Sequence, residues 1–182
     1  MQLFLWLSTL LTIGLQFKAE VFIYLRFDFF QQPWRILTAH WVHVGWLHCV
    51  LNVVALWCLP FIFPEIKAKA LIIGSMGLPC VLSLIFYFFY PDLSAYAGFS
   101  GVLHGLYMLA ALYGLSQPKS QFFAMLIIIG ILLKLMGEAY WGNTDSLTAQ
   151  LIGHTIFIQA HQWGALLGVM LYIVLHKGIQ NK

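Results

Sequence analysis

Residues 98–116 read GFSGVLHGLYMLAALYGLS. Ser100, with Gly98 two places before it and Gly101 directly after it, opens an apolar run that ends before Pro118. A polar group in hydrocarbon needs a partner, so a serine here is expected to face protein. Two other apolar runs open in the same way. His48 and Asn52 begin the run 45–63, and Ala160-His161 begins the run 156–176. Serine, histidine and an amide donor are the parts of acyl-transfer chemistry.

The rest of the chain sets these runs in a membrane. Of its 182 residues 62% are hydrophobic and only 8% charged, where a soluble domain carries about 25% charged residues. The composition predicts an all-α membrane protein with one domain over 1–182. A spanning helix needs about 20 residues, and six runs qualify: roughly 2–17, 45–63, 68–90, 99–116, 121–141 and 156–176. Pro60 and Pro79 fall inside two of them as candidate kinks. Residues 1–17 lack a basic start and a small-residue cleavage site, so they read as a retained first helix. The segment 18–44 is charged and aromatic-rich, the composition of an interfacial loop with amphipathic pieces. A polar loop is expected over 142–150. Cys49, Cys58 and Cys80 lie in apolar runs without a CxxC, which points away from zinc sites and disulfides. No basic, aromatic-interleaved patch suggests nucleic acid as a partner.

With six spans, one side holds Lys67, Lys69, Lys119, Lys177 and Lys182 against Glu65. The other holds Lys18, Arg26 and Arg35 against Glu20, Asp28, Asp92 and Asp145. The positive-inside rule then puts both termini in the cytoplasm. Spans two, four and six all enter from the opposite side. His48, Ser100 and His161 each lie within the first turn or two of a span, at about 3.6 residues per turn, and so at comparable depth.

Each residue has a bland alternative. Ser100 could be a helix N-cap flanked by packing glycines, and His161 a histidine satisfied by a carbonyl. His48 and Asn52, at i and i+4, could be interhelical polar glue. Taken together, Ser100 is the candidate nucleophile, His161 the general base, and His48 and Asn52 donors to an oxyanion. Ala160, Gly164, Ala165 and Gly168 give the sixth span a small-residue face that permits close helix approach. No acid suits the third place of a triad, so a Ser-His dyad is expected. Lys134 and Glu138, at i and i+4 in the fifth run, are either a mutually neutralising ion pair or a contact for substrate.

In this order Trp34-Arg35, His43, His48-x-x-x-Asn52, Gly98-x-Ser100-Gly101 and Ala160-His161-x-x-Gly164 resemble the rhomboid intramembrane serine proteases. The resemblance covers most of the chain from about residue 33. It implies a six-transmembrane-helix rhomboid-like bundle and no cofactor or metal. It also implies Ser100 as nucleophile, His161 as base, and an oxyanion hole of His48, Asn52 and the Ser100 N–H. Trp34, Arg35 and His43 would support the first loop. Rhomboids usually carry tyrosine four residues after the nucleophile, and here His104 stands there. That pattern is similar to the rhombosortase branch. The branch implies cleavage of membrane-anchored bacterial proteins with a C-terminal transmembrane tail, near a Gly-Gly motif, at the periplasmic side of the inner membrane. His104 is expected to stack on His161; the alternative is that it is the base itself. A different class also stays open. His40, His43, His48, His104 and His161 could bind metal or haem in a redox or transport protein. An inactive rhomboid-like chaperone is a third reading. His154 and His176 carry less specific signals.

Overall fold

A computed structural model describes residues 1–180. Lys182, counted in the charge balance, lies outside the described residues, as do the side chains of Asp145 and Lys177. The apolar runs are helices. α1 (Gln2–Gln16) leads into a first loop that carries α2 (Ala19–Phe22), a two-residue strand β1 (Tyr24–Leu25) and α3 (Arg35–Thr38). α4 (Trp46–Ile62) and α5 (Ala68–Phe89) follow, with Pro60 and Pro79 inside them and ending neither. Then come β2 (Ala95–Tyr96), α6 (Ser100–Gly114), α7 (Gln121–Asp145), α8 (Leu147–Ile152) and α9 (Ile158–Gln180).

The six expected runs thus correspond to α1, α4, α5, α6, α7 and α9. By length and composition, three stretches suffice to cross a membrane: Ala68–Phe89, Gln121–Gly142 and Ile158–His176. The expected count of six spans is met by these criteria only in part. α1 and α4 are apolar but shorter. α6 has 15 residues, about 22 Å at 1.5 Å per residue, against a hydrocarbon core of about 30 Å. A helix this short ends below at least one surface if it stands upright.

α6 is the axis around which the others assemble. It lies closest to α9 and also touches α4, α5 and α7. Val102, Leu106, Leu109, Ala110 and Ala111 on it are fully buried. α7, at the periphery, instead exposes Met125, Leu126, Ile129, Leu133 and Met136, as a lipid-facing helix does. The small-residue face of α9 meets a matching one on α6. A β-carbon on Gly101 would sit 2.7 Å from the Ala160 carbonyl oxygen, and one on Gly105 2.7 Å from that of Gly164. β-carbons on Gly164 and Gly168 would run into the carbonyls of Gly101 and Gly105.

The first loop is a folded unit. Arg35 is buried and donates to the carbonyls of Ile23 (2.7 Å) and Glu20 (3.2 Å) and to Gln32 Oε1 (2.8 Å). Arg26 donates to the Tyr87 carbonyl at 2.7 Å, near the end of α5, and lies 4.7 Å over the Tyr87 ring. β1 pairs antiparallel with β2, Tyr24 opposite Tyr96 and Leu25 opposite Ala95. That pairing ties the loop to the segment leading into α6. Phe27 and Phe30 are left exposed, as an interfacial loop requires.

The expected polar loop over 142–150 is largely helical instead. α7 continues to Asp145 across a kink at Gly142, where φ is 79° and ψ −172°. α8 follows, with Ser146 Oγ accepting from the Ala149 N–H at 3.2 Å. Polarity here marks the end of the apolar run, and a capped short helix accommodates polar residues as readily as a loop does.

Candidate active site

Ser100 is the first residue of α6, where backbone N–H groups lack helical partners. The approach to it is held on several sides. Gly98 has φ 145°, a conformation favouring glycine. Its N–H donates to the Ala39 carbonyl at 3.0 Å, and its carbonyl accepts from the Tyr96 hydroxyl at 2.8 Å. The Phe99 N–H points at His43 Nε2 at 3.4 Å. His43 is held in turn by Gln16, the last residue of α1. Its side chain accepts from the His43 N–H at 2.8 Å and donates to the His43 carbonyl at 2.9 Å. His43 therefore acts on the backbone before Ser100 and does not reach the hydroxyl itself.

The glycine contact between α6 and α9 brings His161 to Ser100. The Ser100 Oγ to His161 Nε2 distance is 2.8 Å. His104, one turn after Ser100, lies parallel to His161 with ring centroids 4.3 Å apart and planes at 17°. Its Nδ1 is 2.7 Å from the Ser100 carbonyl. A carbonyl only accepts, so that nitrogen is the protonated one.

A carboxylate lies beside His161. Glu138 Oε2 is 2.7 Å from His161 Nδ1, and both residues are only 3% exposed. The other carboxylate oxygen pairs with the Lys134 ammonium. The sequence reading found no acid suited to a third place; Glu138 is the carboxylate that the fold brings to His161. Glu138 is remote in sequence from Ser100 and His161 and is not marked by either motif. Only the rotation of α7 about its own axis turns it inward. The same rotation buries Glu138 and leaves Lys134 at the edge of the site, with its side chain 37% exposed.

His48 lies against the bare Cα of Gly98, where a β-carbon would be 3.1 Å from its Cε1. Asn52 donates to the His48 carbonyl at 2.8 Å within α4. Two openings meet at this point. A cavity of about 450 Å³ rises over Ser100 and His161, roofed by Thr155, Ile156 and Phe157. A second, largely apolar groove of about 370 Å³ runs between α4 and α7 along α6, past Leu51, Ala55, Leu103, Ile127 and Ile131. His48, Ser100 and His161 line both.

Trp34 and Arg35 lie in the first loop and make their polar contacts there, Trp34 Nε1 pointing at the Val21 carbonyl at 3.4 Å. His40 is fully buried against Ser83, at 3.0 Å. His154 is exposed between α8 and α9, and His176 stacks on Tyr172. Among the described residues no three His, Cys, Asp or Glu side chains are grouped so as to hold a metal ion. Tyr96 is a contributor that the motifs did not signal. It is an aromatic in a short loop, and its hydroxyl reaches Gly98 only because β2 pairs with β1.

A family model described as Rhomboid domain matches residues 31–178. No curated protein matches the chain.

Proposed function

The chain is a multi-pass membrane protein of the rhomboid family of intramembrane proteases, and from that premise we propose that it is a serine endopeptidase of the rhombosortase type. Its substrates are membrane-anchored proteins with a C-terminal transmembrane tail, cut near a Gly-Gly motif. The observation that carries the catalytic assignment is the 2.8 Å contact between Ser100 Oγ and His161 Nε2 at the meeting point of a cavity and an apolar groove.

In this reading Ser100 Oγ adds to the scissile carbonyl as His161 Nε2 takes its proton. The developing oxyanion receives hydrogen bonds from the Ser100 N–H, His48 and Asn52. His161 then returns the proton to the leaving amine, the C–N bond breaks, and an acyl-enzyme remains. Water from the cavity above Ser100 hydrolyses it. The groove between α4 and α7 suits an apolar segment lying alongside α6. Gly-Gly favours unwinding, since glycine lowers helix stability by about 1 kcal/mol relative to alanine. His104 in place of tyrosine supports the rhombosortase branch. The frame is six spans with cytoplasmic termini in a bacterial inner membrane, and Ser100 opens toward the periplasm. The shortness of α6 supports a nucleophile sunk below that surface.

The test is labelling of the detergent-solubilised protein with a fluorophosphonate, followed by cleavage of a Gly-Gly-tailed membrane substrate. Wild type is expected to label, and Ser100→Ala and His161→Ala to lose labelling while remaining folded. Labelling that survives Ser100→Ala refutes the nucleophile. Cleavage of generic rhomboid substrates with Gly-Gly tails left intact refutes the branch.

A further inference from the structure

Glu138 is an acid on a helix that exposes most of its apolar side chains. α7 presents Met125, Leu126, Ile129, Leu132, Leu133 and Met136 outward, yet turns this one carboxylate inward until it is 3% exposed. A buried carboxylate is tolerated only when paired and hydrogen-bonded. Its partners include Lys134, one turn earlier on α7, and the Nδ1 of His161 on α9 at 2.7 Å.

We propose that Glu138 is a positioning residue for His161, completing a Ser100–His161–Glu138 array. The inference rests on the reading of Ser100 and His161 as nucleophile and base. An ionised carboxylate only accepts hydrogen bonds, so the contact fixes a proton on His161 Nδ1. That leaves the Nε2 lone pair directed at the Ser100 hydroxyl 2.8 Å away, the tautomer that general-base catalysis needs. When Nε2 takes the serine proton, the imidazolium lies beside a carboxylate in a site of low polarity, where such a charge interaction is strong.

Lys134 has a separate part. Its ammonium pairs with Glu138 among apolar side chains. Its Nζ also lies 3.4 Å from His161 Nδ1, a distance at which an unscreened ammonium would oppose imidazolium formation. Glu138 neutralises that effect. His161 is thus held on one ring face by the parallel ring of His104 and at Nδ1 by Glu138. The titratable and charged groups around it are His104 on α6, Glu138 and Lys134 on α7, and His48 on α4. On the α5 side of α9, the hydroxyl of Tyr90, the residue after α5, accepts from Trp163 Nε1.

The experiment uses the full chain in detergent and measures the second-order rate of fluorophosphonate labelling from pH 5 to pH 9. Wild type, Glu138→Gln, Glu138→Asp and the neutral pair Lys134→Met/Glu138→Gln are compared, with thermal unfolding recorded for each. Glu138→Gln is expected to lower the labelling rate by about 10²–10⁴-fold, as loss of the orienting carboxylate does in a serine triad. It should also move the acidic limb of the profile to lower pH, because the imidazolium loses its counter-charge. Glu138→Asp should restore part of the rate and the position of the limb. A hydrogen-bonded imidazole N–H resonance far downfield in wild type should vanish in Glu138→Gln. A merely structural ion pair would change the unfolding temperature and leave the limb of the remaining folded protein in place. If Glu138→Gln does not fold, the neutral pair is read in its stead. A folded variant with wild-type rate and limb overturns this inference while leaving the nucleophile and base intact. Wild type that fails to label at Ser100 overturns that reading and this inference together.

Discussion

Between Gly101 and Gly164 there is no room for a β-carbon. The backbones of α6 and α9 touch there, and a methyl group on Gly164 would enter the carbonyl of Gly101. Ser100 and His161 are the neighbours of this contact, one residue before Gly101 and three before Gly164, so helix separation sets their distance.

Gly164→Ala is therefore expected to separate the helices. Overpacking costs about 1–3 kcal/mol, and because the obstacle is backbone the upper part of that range is expected. Labelling of Ser100 should fall more steeply than the unfolding temperature, since a displacement of about 1 Å at a catalytic contact lowers rate by about 10²-fold. Gly130→Ala on α7, where a β-carbon meets nothing within 4 Å, is the control. It should leave activity unchanged and stability equal or higher. Equal effects of the two substitutions would refute the close-contact account.

His48 lies over Gly98 beside Ser100, and Asn52 is one turn further along α4. Removing one oxyanion donor lowers kcat by about 10²–10³-fold. His48→Ala and Asn52→Ala should each lower kcat on a cleavable substrate with KM little changed, in protein that still unfolds cooperatively. An unchanged kcat for either variant would remove it from the oxyanion hole.

His104 separates two readings by one substitution. His104→Phe keeps a ring to stack on His161 and removes both nitrogens. A stacking role predicts a rate within about tenfold of wild type, since such contacts are worth about 0.5–1.5 kcal/mol. A basic role for His104 predicts complete loss of labelling.

His40 and His43 predict how stability responds to acid. Both lie in the turn between α3 and α4, and burial pushes each imidazole from 6.5 down to about 3; His43 is also opposed by His48. Above pH 6.5 both are neutral whether folded or unfolded, and nothing is lost. Between pH 6.5 and about 3 the unfolded chain binds protons that the folded chain refuses, so stability falls as pH falls. At one pKa unit per about 1.36 kcal/mol, each should withdraw roughly 2 kcal/mol by pH 5. Unfolding temperatures at pH 7, 6 and 5 should decline accordingly, and His40→Gln should make the decline shallower. A wild-type profile flat to pH 5 would refute this.

Much of the fold was legible because hydropathy is a local property. The six apolar runs coincide with α1, α4, α5, α6, α7 and α9 to within a few residues. Ser100 and His161 were legible because each is a polar residue opening an apolar run. The helix over 147–152 was not, since a short capped helix and a polar loop share a composition. Glu138 was visible as an ionisable residue out of place in an apolar run, yet its partner was not. Lys134, four residues earlier on the same helix, offers a local partner that the sequence alone cannot distinguish from a remote one.

The sequence by itself determined a membrane protein, the order of its helices, and which polar residues begin them. Those follow from residue identity along one line. Only the tertiary structure decided that Gly164 lets His161 reach Ser100, that Gln16 holds His43 under the turn before Ser100, and that Glu138 faces His161. These depend on how far apart two helices stand and how each is rotated about its own axis. Side-chain volume at the contacts sets both, and hydropathy, which scores α7 alike in any rotation, does not.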